Sequence, residues 1–250
     1  MKRLLIATAL VTIAGAASAQ DIVRLGTEGA YPPYNFINDA GEVAGFEREF
    51  GDELCKRAGL TCEWVTNDWD SIIPNLQSGN YDVIIAGMSI TDEREEVIDF
   101  SAGYLPPAAS SYLALSADTD LMSGPVAAQT GTIQASFIAE NGMQLVEYAT
   151  PEETVAAVRN GEAVAVLADR DYLVPMANES GGELVLLERE ESLGGGVGLG
   201  FRDSDDALRE KFDAAIKSMK CDGTLDAMIT RPEYFGPEAK TWGDAGKEGC

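Results

Sequence analysis

Apolar and polar positions along the chain switch between two spacings, and the switching outlines the elements. Ile22 to Gly26 opens as a strand. From Gly45 to Ala58, Phe46, Phe50 and Leu54 recur at intervals of four with Glu47, Arg48, Glu49 and Asp52 between them, the spacing of a helix with one apolar face. A strand follows at Cys62 to Thr66, a short helix at Trp69 to Gln77, a buried strand at Asp82 to Ala86 and a further strand at Tyr112 to Leu115.

A second series of similar size begins near Val126. It comprises a short strand, the loop Gln129 to Thr132, a helix from Gln134 to Glu140, a strand at Leu145 to Tyr148 and a helix at Pro151 to Asn160. Thr150 fits the N-cap of that helix, Pro151 its first turn, Glu152 and Glu153 its positive start, and Gly161 its stop. Strands at Val164 to Leu167, Leu184 to Leu187 and Val197 to Phe201 follow, then helices near Ala207 to Lys220 and Leu225 to Ile229.

Such alternation predicts α/β layers with mainly parallel sheets. The two series are separated by a Pro-rich crossing at Pro106-Pro107 and a Gly-rich one at Gly194 to Gly200, which suggests two lobes joined by two strands. The expected division gives residues 20–110 to the first lobe and 111–198 to the second. Residues 199–250 then return to the first lobe and form the tail. Gly194-Gly195-Gly196 fits a hinge or a plain loop equally well.

Residues 1–19 carry Lys2 and Arg3, the apolar run Leu4 to Ala14 and the small-residue ending Ala17-Ser18-Ala19. This is the pattern of a cleaved secretory leader, with the mature chain starting at Gln20. The run is shorter than the roughly 20 residues a bilayer span needs, and no Cys at the cleavage point invites a lipid anchor. Export to the periplasm is the expectation.

Charge narrows the partners. The chain has 42 acidic and 18 basic residues, a formal net charge of -24, and loss of the leader removes two more positive charges. Nucleic acid is therefore not an expected partner, and the acidity reads as a solvated surface. Four Cys in an exported chain suggest two disulfides. Cys55 and Cys62 are close enough to pair locally, a loop worth roughly 2 to 3 kcal/mol by chain entropy. Cys221 and Cys250 then remain to tie the C-terminal tail. With no His and no paired C-x-x-C spacing, neither a metal nor a cofactor is expected.

Catalysis finds little material, since there is no His base and no Gly-x-Ser-x-Gly elbow. Binding finds more. Arg94 stands in Ser-Ile-Thr-Asp-Glu-Arg, where Ser89 or Thr91 can cap a helix start, and free amides beside a guanidinium suit a carboxylate. A surface ion pair with Glu95 or Asp99 is the plainer use of Arg94. Thr130-Gly131-Thr132 offers a second anion site at a helix start. Asp169 ends a buried strand, where it can hold an ammonium group or cap the next helix. Glu28, Tyr31 and Tyr34 flank a Pro pair in the first loop, and Trp69 can add a second flat wall.

In order, these stretches resemble the polar amino-acid-binding proteins of ABC importers: GTEGAYPPYNF from Gly26, GFEREFGDELC from Gly45, DWDSIIPNLQSGNYDVIIAGMSITDER from Asp68, and Gly131-Thr132. The resemblance spans nearly the whole mature chain. It implies a periplasmic-binding-protein type II fold, two α/β lobes joined by a two-strand hinge that closes on the ligand. It also implies that Arg94 pairs with an α-carboxylate, helped by amides near Ser89 and Thr132, and that Asp169 and the Gly87 carbonyl receive the α-ammonium.

Glu28 matches the acid that meets a side-chain nitrogen in basic-amino-acid binders, and Tyr31 and Trp69 match the faces around that side chain. Met88 and Gln134 complete the implied set. Cys55 and Cys62 match the short disulfide of the basic binders. Arginine, lysine, ornithine or an opine is the implied ligand, an inner-membrane ABC permease the implied partner, and a monomer the implied state. Two departures leave cystine or glutamine-type ligands open: Ala86-Gly87 replaces paired serines, and Ile133 a polar residue. The same two-lobed family also includes cyclohexadienyl dehydratases and binding proteins that report to receptors, which are the alternative functions.

Overall fold

The structure is a computed structural model that describes residues 22–250. The expected leader lies outside the described residues. The first half contains β1 (Val23–Thr27), β2 (Ala30–Tyr31), β3 (Asn35–Ile37), β4 (Val43–Ala44), α1 (Phe46–Ala58), β5 (Cys62–Thr66), α2 (Ile72–Gln77), β6 (Val83–Ile84), α3 (Asp92–Glu95) and β7 (Asp99–Phe100). Next come β8 (Ala109–Ala114), β9 (Pro125–Gln129), α4 (Ile133–Glu140), β10 (Gln144–Tyr148), α5 (Pro151–Arg159), β11 (Ala165–Asp169), α6 (Arg170–Glu179) and β12 (Val185–Ser192). The chain finishes with β13 (Gly200–Phe201), α7 (Asp206–Cys221) and α8 (Thr224–Ile229).

Two five-stranded sheets organise the two lobes, in the orders β5-β1-β6-β13-β7 and β10-β9-β11-β8-β12, and a small sheet β2-β3-β4 sits beside the first. Period-two alternation lets each strand serve both faces of its sheet. Val83 and Ile85 enter the cluster built with α1, α7 and α8, whereas Ile84 and Ala86 enter the one built with α2. In the second lobe Val126 and Ala128 meet α4, while Ala127 packs with α5 and α6. The central strands of both sheets are thus buried on both faces and read as nearly continuous apolar runs, whereas the edge strands β5, β10 and β12 keep polar, exposed positions.

The expectation of mainly parallel sheets holds only for the strands inside βαβ units. β5, β1 and β6 run parallel, as do β10, β9 and β11, but β13 and β7 in one sheet and β8 and β12 in the other join antiparallel. Those strands carry the chain between lobes without a crossover helix, so no parallel pairing is imposed on them.

α1 buries Phe46, Phe50 and Leu54 completely, and Cys55–Cys62 ties its last turn to β5. Cys221–Cys250 ties the tail to α7. Thr150 caps α5 with Pro151 in its first turn, as the sequence predicts, and Glu153 adds the reciprocal bond of a capping box. In the return crossing, Val197 bridges antiparallel to both Ser89 and Leu105. Gly196 has φ 99°, and a Cβ there would lie 2.8 Å from the Leu105 carbonyl oxygen, so the close passage of the two crossings requires glycine.

Candidate functional site

Four central strands deliver side chains from their C-terminal ends to one cleft, the edge where α/β sheets bind ligands. Glu28 follows β1, Ala86 and Gly87 follow β6, Gln129 ends β9 and Asp169 ends β11. With Tyr31, Trp69, Ser89, Arg94, Thr132, Ile133 and Gln134 they line a cavity between the lobes. Nine of the ten residues expected to bind ligand therefore line one cavity. Met88 is the exception: it does not line the cavity, because its side chain is wholly buried with Ile84, Ile98 and Phe100 in the first-lobe core.

At one end of the cavity, Thr91 caps α3 by accepting from the Arg94 N–H, which fixes the Arg94 backbone. The guanidinium donates to the carbonyls of Ser89 at 2.8 Å and of Gly131 at 3.3 Å in the other lobe, and lies 5.3 Å from the centre of the Trp69 ring. Among the described residues it forms no ion pair, so the surface pairing with Glu95 or Asp99 does not occur. Burial lowers its pKa to about 10, against the attraction of Asp169 and Glu93.

Thr132 caps α4, accepting from the Ala135 N–H and donating to the Gln129 carbonyl at 2.7 Å. The loop before it turns at Gly131, whose φ is 71°. Asp169 precedes α6 but makes no side-chain cap. Its carboxylate instead faces the cavity and accepts from the Tyr31 hydroxyl at 2.9 Å and from Gln134 Nε2 at 3.0 Å. Burial raises it to about 6, with Asp171 adding to the rise and Tyr31, Arg94 and Gln134 opposing it.

Glu28 accepts from Gln129 Nε2 at 2.6 Å across the cleft. Burial raises this carboxyl to about 7, the Gln129 bond opposes the rise, and the charges of Asp68 and Glu47 add to it. Gln129 is the cavity residue the sequence reading passes over. Its signal is positional, since it is the last residue of a buried strand.

The arrangement brings one fixed cation near two helix starts together with two carboxylates, Asp169 and Glu28, and the rings of Tyr31 and Trp69 in one cavity. A zwitterion with an additional cationic group matches that set of charges. Among the described residues no helix is long and apolar enough to cross a membrane, and no acid or Cys cluster is arranged to hold a metal ion.

Residues 23–236 match the family model of the bacterial extracellular solute-binding proteins, family 3. The chain belongs to this family. Among family 3 relatives, the histidine-binding periplasmic protein of Escherichia coli (strain K12) is 31% identical over 260 residues, spanning 94% of this chain and 97% of that protein. The lysine/arginine/ornithine-binding periplasmic protein of the same strain is 30% identical over 256 residues, spanning 94% and 96%.

A crystal structure of a periplasmic His/Glu/Gln/Arg/opine family-binding protein from Silicibacter pomeroyi in complex with lysine is 73% identical with a TM-score of 0.86, covering 88% of this chain and 99% of that one. The fold is accordingly the two-lobed type II arrangement of family 3.

Proposed function

We propose that this protein is the periplasmic substrate-binding component of an ABC amino-acid importer and that it binds a basic amino acid or a related opine. One observation carries the reading: Arg94 and Asp169 face a single cavity from opposite lobes, and Glu28 lines the same cavity. The α-carboxylate meets Arg94 and the amides around Ser89 and Thr132. The α-ammonium meets Asp169 and the Gly87 carbonyl, and the side chain passes Tyr31 and Trp69 toward Glu28. Both the lysine complex of the 73% identical structure and the lysine/arginine/ornithine relative support a cationic side chain.

The ligand gains contacts from both lobes only when they close, so binding shifts the protein toward the closed form. The crossings at 105–109 and 192–197 act as the hinge. The closed monomer docks on an inner-membrane permease, and opening there releases the ligand. Calorimetric titration of refolded protein with lysine, arginine, ornithine, glutamine and cystine tests the assignment. Selective binding of the cationic ligands is expected, and preference for glutamine or cystine would refute the role of Glu28.

Binding, not turnover, is the activity we assign. The raised carboxyls of Glu28 and Asp169 are nevertheless groups able to exchange protons near neutral pH. Incubation with prephenate or arogenate is expected to give no aromatic product, and formation of one would reinstate the dehydratase alternative.

A further inference from the structure

Glu47, in the first turn of α1, has no exposed surface and lies outside the cavity lining. Three donors from three separate segments converge on its carboxylate. Oε2 accepts from Asn35 Nδ2 at 2.7 Å, and Oε1 accepts from the Gly87 N–H at 2.6 Å and from the Tyr104 hydroxyl.

Each donor leads to a part of the binding machinery. Asn35 Oδ1 accepts the Gly29 N–H at 2.7 Å, so this branch ends on the residue next to Glu28. Gly87 is itself in the cavity wall, with φ 62°, and its backbone direction there is fixed by the bond to Glu47. Tyr104 immediately precedes the first crossing, and its N–H donates to the Val197 carbonyl of the return crossing at 2.7 Å.

We propose that Glu47 is a positioning residue for ligand binding: one buried carboxylate holds the Glu28 loop, the Gly87 loop and the interlobe crossing in register with one another. The inference rests on the amino-acid reading of the cavity and adds a residue that does not touch the ligand. A scaffold role alone does not require an acid, because an apolar side chain would fill the same space without the desolvation that raises this carboxyl.

The donors do require one. A carboxylate accepts at both oxygens, whereas a carboxamide presents N–H at one position and meets either Asn35 Nδ2 or the Gly87 N–H donor to donor. If Asn35 flips to relieve the first conflict, its own NH2 then faces the Gly29 N–H. Glu47→Gln therefore releases one ligand loop whichever way the amide turns.

The test titrates wild type, Glu47→Gln and Asn35→Ala with lysine and with glutamine, well below each melting temperature. Glu47→Gln is expected to weaken both ligands by about tenfold or more, as loosened support of a binding site does. Asn35→Ala releases only the Glu28 branch, so it is expected to reduce the preference for lysine over glutamine by about fivefold or more while leaving glutamine affinity within about threefold.

A lower melting temperature with affinity and preference intact in both variants would reduce Glu47 to scaffold and overturn the proposal. If Glu47→Gln does not fold, an unchanged preference in Asn35→Ala overturns it alone. Absence of lysine binding by the wild type would instead overturn the reading of the cavity, and this inference with it.

Discussion

Tyr31 crosses the cleft to Asp169. Its hydroxyl donates to Oδ2 at 2.9 Å, and the Asp169 N–H donates back to that hydroxyl at 3.2 Å. The ring stacks on Tyr172 of the second lobe, 4.5 Å between centroids and 15° from parallel. One first-lobe side chain thus joins the second lobe through an apolar and a polar contact while lining the cavity.

Tyr31→Phe keeps the stacking and removes the hydroxyl. The lost bond to a carboxylate is worth about 1 to 2 kcal/mol, so lysine affinity should fall roughly 5- to 30-fold. Small-angle scattering at subsaturating lysine should show a larger open fraction. Unchanged affinity would mean that the Tyr31 hydroxyl makes no net contribution to closure.

Arg94→Met separates binding from folding. Loss of the carboxylate partner should weaken lysine binding by about 2 kcal/mol or more, at least 30-fold. Burial already opposes the Arg94 charge, lowering its pKa to about 10, so the ligand-free melting temperature should be no lower than that of wild type. Calorimetry and thermal melts check both halves, and intact affinity would remove Arg94 from the site.

The sequence made the long elements legible because their periods are long enough to count. α1 and α5 start within a residue of expectation, and β1, β5, β9 and β11 fall where apolar runs end in turn residues. β2, β3 and β4 are two or three residues each, too short for an alternation to register. α6 has a legible start, with Asp169 before it, but Pro175 interrupts the pattern that would give its extent. Charged and aromatic site residues match by motif, whereas Glu47 looks like one more polar position between Phe46 and Phe50. Its spacing of three from Phe50 and seven from Leu54 places it on the buried face, and its partners come from segments distant in sequence.

Glu28→Gln should change selectivity more than stability. It replaces the charge facing a cationic side chain with a neutral amide, a loss of about 1.5 to 3 kcal/mol, or roughly 10- to 150-fold for lysine. Glutamine should lose little. The ratio of the two affinities is the readout, and parallel losses for both ligands would place the lysine ammonium elsewhere.

Proton linkage ties the two carboxylates to both stability and binding. In the folded protein Glu28 titrates at about 7 against an ordinary 4.5, and Asp169 at about 6 against 3.8. Between those limits the folded state holds more protons than the unfolded state, so these groups add stability below about pH 4 that is lost as pH rises through 6 and 7. Ligand-free melting temperature, corrected by a Glu28→Gln variant for the remaining acids, should carry that downward component. A bound cation favours the charged carboxylates, so lysine binding near pH 6.5 should release protons and tighten as pH rises toward 8. Titration in buffers of different ionisation enthalpy measures the release directly. For glutamine, whose side chain carries no cation, the release should be smaller. An equal release for lysine and glutamine would show that Glu28 does not meet the ligand's charge.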